Sequence, residues 1–183
     1  RTIGLGRADD RYFTFCAGFG LDAGVIRRVE RARSRGRVST TALYLRSTFG
    51  EYLATDRRHP AISLERPAET AVDELATVII QNTTPWTYLG DRPVSPNPDA
   101  SFDLGLDVLG VHQLAVASTT RTVTQILSPR TNPHGRQVVH LHDVHEFTLL
   151  ARRPEALQVD GDYLGEREKV RFASVAQALR VIC

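Results

Sequence analysis

The chain has 183 residues, of which 42% are hydrophobic and 24% are charged, which is typical of a globular domain with one sizeable core and excludes a disordered or fibrous protein. A net charge of +2 is too small to indicate nucleic-acid binding by itself, and the apolar stretches are too short for a transmembrane helix. The two cysteines, Cys16 and Cys183, have no metal-ligand spacing, which favours a reduced, cytoplasmic setting.

The first third of the chain predicts one strand and two helices. Residues 11–15 have the pattern of a strand that leads into a glycine-rich turn at residues 18–20. Apolar residues then recur at helical spacing over residues 22–35. A second helix is predicted from Ser39 or Thr40 to Ala54, and Ser39 is a candidate for its N-cap.

After Pro60 the pattern changes to short runs that favour β-structure, separated by Gly, Pro, Asn and Asp. These runs cover residues 61–64, 75–81, 114–117, 138–141, 146–151, 156–159, 169–172 and 179–182. One short helix is predicted over residues 119–127. The fold class is therefore mainly β (α+β), a β-sandwich-like lobe with the two early helices packed at one end.

A short acidic turn follows the predicted strand at residues 156–159. Asp160 and Gly161 form the turn, and Asp162 stands immediately after it. A carboxylate held at a strand end can serve in catalysis. Asp-Gly is also the commonest short hairpin turn, so both interpretations are open on the residues alone.

Three other segments accompany this turn, at residues 15–23, 78–82 and 100–108, and a long Pro-rich loop follows the second. In this order and at this spacing, the four segments resemble the C-terminal lobe of the diacylglycerol kinase and sphingosine kinase family of lipid kinases. The resemblance covers essentially all of residues 1–183. It implies the C-terminal domain of an NAD kinase/diacylglycerol kinase-like two-lobed fold.

The Gly-Gly-Asp-Gly-Thr loop with which this family binds nucleotide does not occur in the sequence. That loop belongs to the family's N-terminal, ATP-binding lobe. The sequence also opens at Arg1 and contains no Met. We therefore interpret it as one lobe of a two-lobed enzyme that is inactive without the other lobe.

The resemblance implies ATP-dependent transfer of phosphate to a lipid hydroxyl in phospholipid metabolism, with diacylglycerol as the leading substrate. It places the general base at Asp162, where the family usually has Glu. Such a base accepts the hydroxyl proton as the oxygen attacks the γ-phosphate of ATP.

The resemblance also implies a metal loop. In some family members two adjacent aspartates and a glycine in this loop hold Mg²⁺. This sequence keeps Asp103 and Gly105, has Leu104 in place of the second aspartate, and places Asp107 at the start of the next strand. Asp103 and Asp107 are therefore the candidate Mg²⁺ ligands, the alternative being that Asp103 caps backbone amides in a turn.

Three further residues are candidate cofactor contacts. Gly18 and Gly20 are predicted to form a tight turn that enters a helix, and a helix N-terminus of this kind can hold phosphate. Asp22 is a natural N-cap for that helix, which leaves simple turn geometry as the alternative. Asn82 ends an apolar strand and opens the Pro-rich loop. The cofactors implied are Mg²⁺ and ATP, the latter held mainly by the second lobe.

Arginines crowd one face and the tail of the first helix. They are Arg27, Arg28, Arg31, Arg33, Arg35 and Arg37. Such a face can bind anionic lipid headgroups, although it is also typical of an ordinary solvated surface. The predicted partners are thus a lipid substrate and a membrane surface approached peripherally from the cytoplasm, without nucleic acid. The sequence is compatible with a homodimer.

The histidines His140, His142 and His145 and the adjacent Glu146 have the composition of a metal site. They lack a further convergent ligand, which favours a solvent-facing strand and turn. Two other functions stay open beside the lipid kinase. One is a non-catalytic lipid-binding or interaction β-domain. The other is an NAD kinase-like enzyme, which is less compatible with the acidic turn so near the end of the sequence.

Overall fold

The structure is a computed structural model that describes residues 1–36, 38, 40–56, 58–128 and 131–182. Arg37, Ser39 and Cys183 lie outside the described residues. The elements in chain order are β1 (Thr2–Ala8), β2 (Arg11–Phe13), β3 (Cys16–Gly20), α1 (Leu21–Arg33), α2 (Thr41–Ala54), β4 (Ile62–Glu65), β5 (Val72–Leu75), β6 (Thr77–Gln81), β7 (Thr87–Leu89), β8 (Arg92–Val94), β9 (Leu106–Val111), α3 (Val116–Ile126), β10 (Val138–Val144), β11 (Glu146–Val159) and β12 (Asp162–Arg180).

Ten strands form one large antiparallel sheet, in which eight have the order β10-β9-β6-β3-β11-β12-β1-β2, while β4 pairs with β11 and with β5 beside this path. Strand β11 has two different partners on one side, because residues 148–151 pair with β4 while residues 157–159 pair with β3. The sheet divides at this point, which gives the sandwich-like lobe that the sequence predicts. Strands β7 and β8 form a separate hairpin inside the Pro-rich loop.

The main hydrophobic core draws on both parts of the divided sheet. At its centre the Phe147 ring stacks on the Phe172 ring, with centroids 5.1 Å apart, and Phe13 meets Phe172 edge-on at 6.4 Å. Leu64 and Leu149, from the paired strands β4 and β11, are fully buried in the same cluster. The early strands and the last strand therefore share one core.

The two early helices are confirmed as α1 and α2. The N-cap of α2 is Thr40, whose Oγ1 accepts a hydrogen bond from the backbone N–H of Leu43 at 3.2 Å. The predicted helix at residues 119–127 is confirmed as α3, which begins three residues earlier.

Other predictions were wrong. Residues 18–20 do not form a turn but lie in β3, paired with β6, and residues 114–117 are not a strand, because α3 begins at Val116. The separate runs predicted at residues 146–151 and 156–159 are parts of one strand, β11. Pro154 interrupts the sequence pattern there, and it falls where the register with β12 shifts, so the strand tolerates it.

Candidate functional site

The acidic turn joins the two longest strands, β11 and β12. Asp160 and Gly161 have positive φ angles of 48° and 87°, and Val159 pairs with Asp162 across the hairpin. Positive φ at both central residues is the geometry of a two-residue type I′ turn, which glycine adopts without strain. The hairpin interpretation is thus correct for the backbone, and Asp162 is the first residue of β12.

The Asp162 side chain is 67% exposed, and its Oδ2 atom lies 3.6 Å from Nη2 of Arg11. Arg11 is itself largely exposed, so this ion pair contributes little to stability. The carboxylate therefore stands at the surface, within reach of a second molecule or a second lobe.

The Asp160 carboxylate fixes the turn to the connection between β2 and β3. It accepts hydrogen bonds from the backbone N–H groups of Thr14 at 2.7 Å, Phe15 at 2.8 Å and Cys16 at 3.0 Å. The backbone N–H of Asp160 donates to the Cys16 carbonyl at 2.8 Å. Asp160 is thus a structural residue that holds its neighbour Asp162 in place.

Gln158 fixes the same turn from the other side. Its side chain is 2% exposed and bridges two groups, because Nε2 donates to Asp22 Oδ2 and Oε1 accepts from the Gly161 N–H, both at 3.0 Å. Gly18 lies opposite Gln158 in the sheet, and a Cβ atom there would lie 1.8 Å from Asp22 Oδ2. A larger residue at position 18 would thus displace the Asp22 carboxylate, which gives Gly18 a packing role of its own.

Asp22 was predicted to cap α1, and this is wrong. The N-cap is Gly20, with a φ angle of 86°, and Asp22 lies in the first helical turn. Desolvation by burial raises the pKa of Asp22 to about 6, although the hydrogen bond from Gln158 opposes this rise. Burial and the nearby Asp22 carboxylate also raise the pKa of the Cys16 thiol to about 12, so this thiol stays protonated near neutral pH.

The raised pKa of Asp22 gives a testable pH dependence. A native carboxyl group with a pKa above its ordinary 3.8 resists ionisation, so its contribution to stability falls as pH rises from about 4 to about 6 and stays low above that. Asp22→Asn cannot ionise but can still accept the hydrogen bond from Gln158. We expect the variant to be more stable than wild type at pH 7.5, by at most about 3 kcal/mol, and equally stable at pH 4.

Urea unfolding of both proteins at the two pH values measures this difference. Asp91→Asn, at an exposed position between β7 and β8, is the control and should show no such dependence. A difference between Asp22→Asn and wild type that is the same at both pH values would contradict the prediction.

Asn82 is 1% exposed and lies at the end of β6. Its Nδ2 atom donates to the carbonyl oxygens of Gly4 at 3.1 Å and Thr14 at 2.9 Å. Its backbone N–H donates to the carbonyl oxygen of Phe15 at 2.9 Å. Both amide protons are thus bound within the protein. Asn82 joins β1 and the β2–β3 connection to the end of β6, and its contact with a cofactor stays a prediction.

The two candidate Mg²⁺ ligands have other partners. Asp103 is exposed, with Oδ2 2.6 Å from Nη2 of Arg1. Asp107 is fully buried, and it accepts hydrogen bonds from His142 Nδ1 at 2.9 Å and from the Asp143 N–H at 3.1 Å. In the part of the chain that the structure describes, no group of three or more His, Cys, Asp or Glu side chains is arranged to hold a metal. Both carboxylates thus have partners within the protein, and Mg²⁺ binding by Asp103 and Asp107 stays a prediction.

His142 is the residue in this region whose role the sequence did not indicate. Its hydrogen bond to Asp107 raises the pKa of the imidazole, and a raised pKa in a base stabilises the fold at low pH. That stabilisation is fully present below the unfolded pKa of about 6.5 and is lost as pH rises through the higher native pKa. We expect His142→Gln to lower Tm more at pH 6 than at pH 9.

Thermal unfolding of wild type, His142→Gln and His140→Gln at both pH values provides the measurement. His140 is an exposed neighbour on β10, so its replacement controls for the loss of an imidazole from the strand. A loss of Tm by His142→Gln that is equal at pH 6 and pH 9 would show that the ion pair does not contribute.

Two arginines of α1 bind acids within the protein. Arg27 pairs with Glu51 at 3.0 Å and with Glu166 at 2.7 Å, and Arg28 Nε donates to the other oxygen of Glu51. These pairs join α1 to α2 and to β12. The other described arginines of this region are exposed, namely Arg31, Arg33 and Arg35. No helix among the described residues is long and apolar enough to cross a membrane.

Three solved structures share this fold, all of them of proteins assigned as diacylglycerol kinases from Bacillus anthracis str. Sterne. Their TM-scores are 0.65, 0.59 and 0.63, with sequence identities of 13%, 10% and 13%. Each match covers 97% of this chain but only 54%, 52% and 55% of the other chain, so this chain spans about half the length of those proteins. No family model and no curated protein matches the sequence. The chain thus has the fold of the C-terminal lobe of diacylglycerol kinase-like proteins.

Proposed function

We propose that this chain is the C-terminal lobe of a lipid kinase that transfers the γ-phosphate of ATP to a lipid hydroxyl, with diacylglycerol as the leading substrate. The observation that carries the proposal is the fold, which matches diacylglycerol kinases over 97% of the chain. The acidic turn supports it, because the turn presents a carboxylate at the surface of the lobe.

Asp162 is the proposed general base. Phosphoryl transfer to a lipid needs a group that takes the hydroxyl proton as the oxygen attacks phosphorus. Asp162 is exposed, and the two residues before it are anchored, because Asp160 binds the backbone of the β2–β3 connection and the Gly161 N–H donates to Gln158. A carboxylate on an anchored turn meets the requirement that a catalytic group be held close to its productive position.

The cofactor side of the proposed cleft lies at β3. Gly18 and Gly20 are proposed to border it, with Asn82 supporting them through the backbone of the β2–β3 connection. ATP is proposed to bind mainly to the second lobe. Mg²⁺ bound with ATP would neutralise charge on the phosphates. Asp103 and Asp107 are the proposed Mg²⁺ ligands in this lobe. The protein is proposed to act at the cytoplasmic face of a membrane. A homodimer is compatible with this proposal, and nucleic acid is not a proposed partner.

The decisive experiment is a phosphoryl-transfer assay with the full-length protein. Labelled ATP is offered with diacylglycerol or sphingosine in detergent micelles, and with NAD in solution. Phosphorylation of a lipid supports the proposal. Phosphorylation of NAD would favour the NAD kinase-like alternative, and lipid binding without turnover would favour a non-catalytic β-domain.

A further inference from the structure

Strand β12 has an open edge where it begins. It pairs with β11 from Asp162 to Ala173, but its pairing with β1 covers only Phe172 to Arg180. In the described part of the chain, no strand therefore pairs with the other edge of residues 162–170. The N–H groups on that edge depend on side chains or solvent for acceptors. The proposed base Asp162 stands on this one-sided segment.

The first N–H group on the open edge is that of Tyr163. The two-residue turn closes on a hydrogen-bonded pair, Val159 and Asp162, so the N–H of the next residue points away from β11. It donates to Oε1 of Glu30, a partly buried residue of α1, at 3.1 Å. Glu30 thus supplies the acceptor that a carbonyl of a neighbouring strand would otherwise provide.

Helix α1 also holds the residue that precedes Asp162. Gln158 accepts a hydrogen bond from the N–H of Gly161 and donates one to Asp22, in the first turn of α1. Gly161 immediately precedes Asp162 and Tyr163 immediately follows it. One helix therefore holds the backbone on both sides of the proposed base, first through Gln158 and then directly.

The helix that makes these contacts is itself firmly attached. Arg27 of α1 pairs with Glu166 of β12 at 2.7 Å and with Glu51 of α2 at 3.0 Å. Helix α1 also buries Val25 and Val29. A helix attached in this way is a rigid support, and a rigid element places a catalytic group more precisely than a loop does.

We propose that Glu30 is a positioning residue, which fixes the Tyr163 N–H on the open edge of β12 and thereby sets the place of the Asp162 carboxylate. That carboxylate must reach the hydroxyl proton as the oxygen attacks phosphorus, and a displacement of about 1 Å can lower a rate about 100-fold. The pair with Arg11 cannot supply this precision, because both side chains are exposed and 3.6 Å apart. The inference rests on the proposed function, since it needs Asp162 to act as the base.

Steady-state kinetics of the full-length protein on diacylglycerol in detergent micelles test the inference. Glu30→Ala removes the acceptor and should lower kcat about tenfold. The KM values for lipid and ATP should not change, because the contact affects the base rather than substrate binding. Glu30→Gln keeps a side-chain oxygen that can accept the Tyr163 N–H, so it should retain about half or more of the wild-type kcat.

Asp9→Gly is the matched control. The Asp9 carboxylate also accepts a backbone N–H of β12, that of Arg171 at 2.9 Å, far along the strand from the acidic turn. Glycine suits the φ angle of 50° at position 9, so this replacement removes the contact without straining the backbone. Asp9→Gly should keep the wild-type kcat. Thermal melts establish that each variant is folded at the assay temperature.

A double variant separates positioning of the base from general support of the fold. If Glu30 acts through Asp162, Glu30→Ala should lower kcat no further in a protein that already carries Asp162→Asn. The inference is overturned if Glu30→Ala has the wild-type kcat, or if Glu30→Gln or Asp9→Gly loses as much as Glu30→Ala. A tenfold loss that persists in the Asp162→Asn background would overturn it as well.

Hydrogen exchange distinguishes failure of this inference from failure of the proposed function. The Tyr163 amide proton should exchange faster in Glu30→Ala than in wild type, because it has lost its acceptor. A wild-type protein that phosphorylates no lipid would refute the proposed function, and would leave Glu30 with a structural contact that the exchange rate still reveals. Lipid phosphorylation that requires Asp162 but not Glu30 would refute the inference alone.

Discussion

Replacing Asp162 with Asn is expected to lower kcat of the full-length protein on diacylglycerol by about 100-fold or more, the usual scale for removal of a general base. The amide has almost the same shape as the carboxylate but cannot take a proton. Because Asp162 is exposed and its pair with Arg11 is weak, the fold should be retained. Steady-state kinetics with thermal melts of both proteins check the two parts of this expectation.

Asp162→Glu is the informative second variant. The lipid kinases that the sequence resembles usually have Glu at this position, so the longer side chain should keep most of the activity. Asp91→Asn, at an exposed site outside the acidic turn, should leave kcat unchanged. A near-normal kcat of Asp162→Asn would show that Asp162 is not the general base and that the acidic turn has only a structural role.

Replacing Phe172 with Ala is expected to destabilise the protein by about 3–5 kcal/mol, which is the range for removing a buried aromatic ring. Phe172 is fully buried, its ring contacts those of Phe147 and Phe13, and it pairs with Ala8 of β1. A cavity at this point would loosen both neighbours of β12 together. Equilibrium urea unfolding measures the change.

Phe15→Ala is the control for this prediction, because Phe15 is 53% exposed and its loss leaves no internal cavity. It should change the free energy of unfolding by about 1 kcal/mol or less. A Phe172→Ala variant as stable as Phe15→Ala would mean that the three rings do not form the centre of the core.

The features that the sequence predicts correctly depend on local patterns. The helices α1 and α2 follow from the spacing of apolar residues, and the hairpin turn follows from the Asp-Gly pair at 160–161. The positions of these elements need no knowledge of distant residues, because helical periodicity and turn chemistry act over a few residues. The acidic turn could therefore be located before its partners were known.

The features that the sequence does not predict depend on distant partners. Gln158 stands as one polar residue in an apolar run, and only the fold shows that it lies between Asp22 and Gly161. Asp107 suits a metal site by residue type, and only the pairing of β9 with β10 shows that His142 lies against its carboxylate. Both contacts are set by strand register, which a single sequence does not state. A polar residue inside an apolar strand was the available signal in each case.

The hydrogen bonds that the Asp160 carboxylate accepts from the backbone N–H groups of residues 14–16 affect the order of folding. Thr14 and Asp160 are 146 residues apart, so their contact closes a very large loop of chain. Contacts between such distant residues are slow to form, because closing the loop costs conformational entropy before the contact contributes any stabilising free energy. We therefore expect the attachment of Asp160 to residues 14–16 to form later than the local turn between β11 and β12.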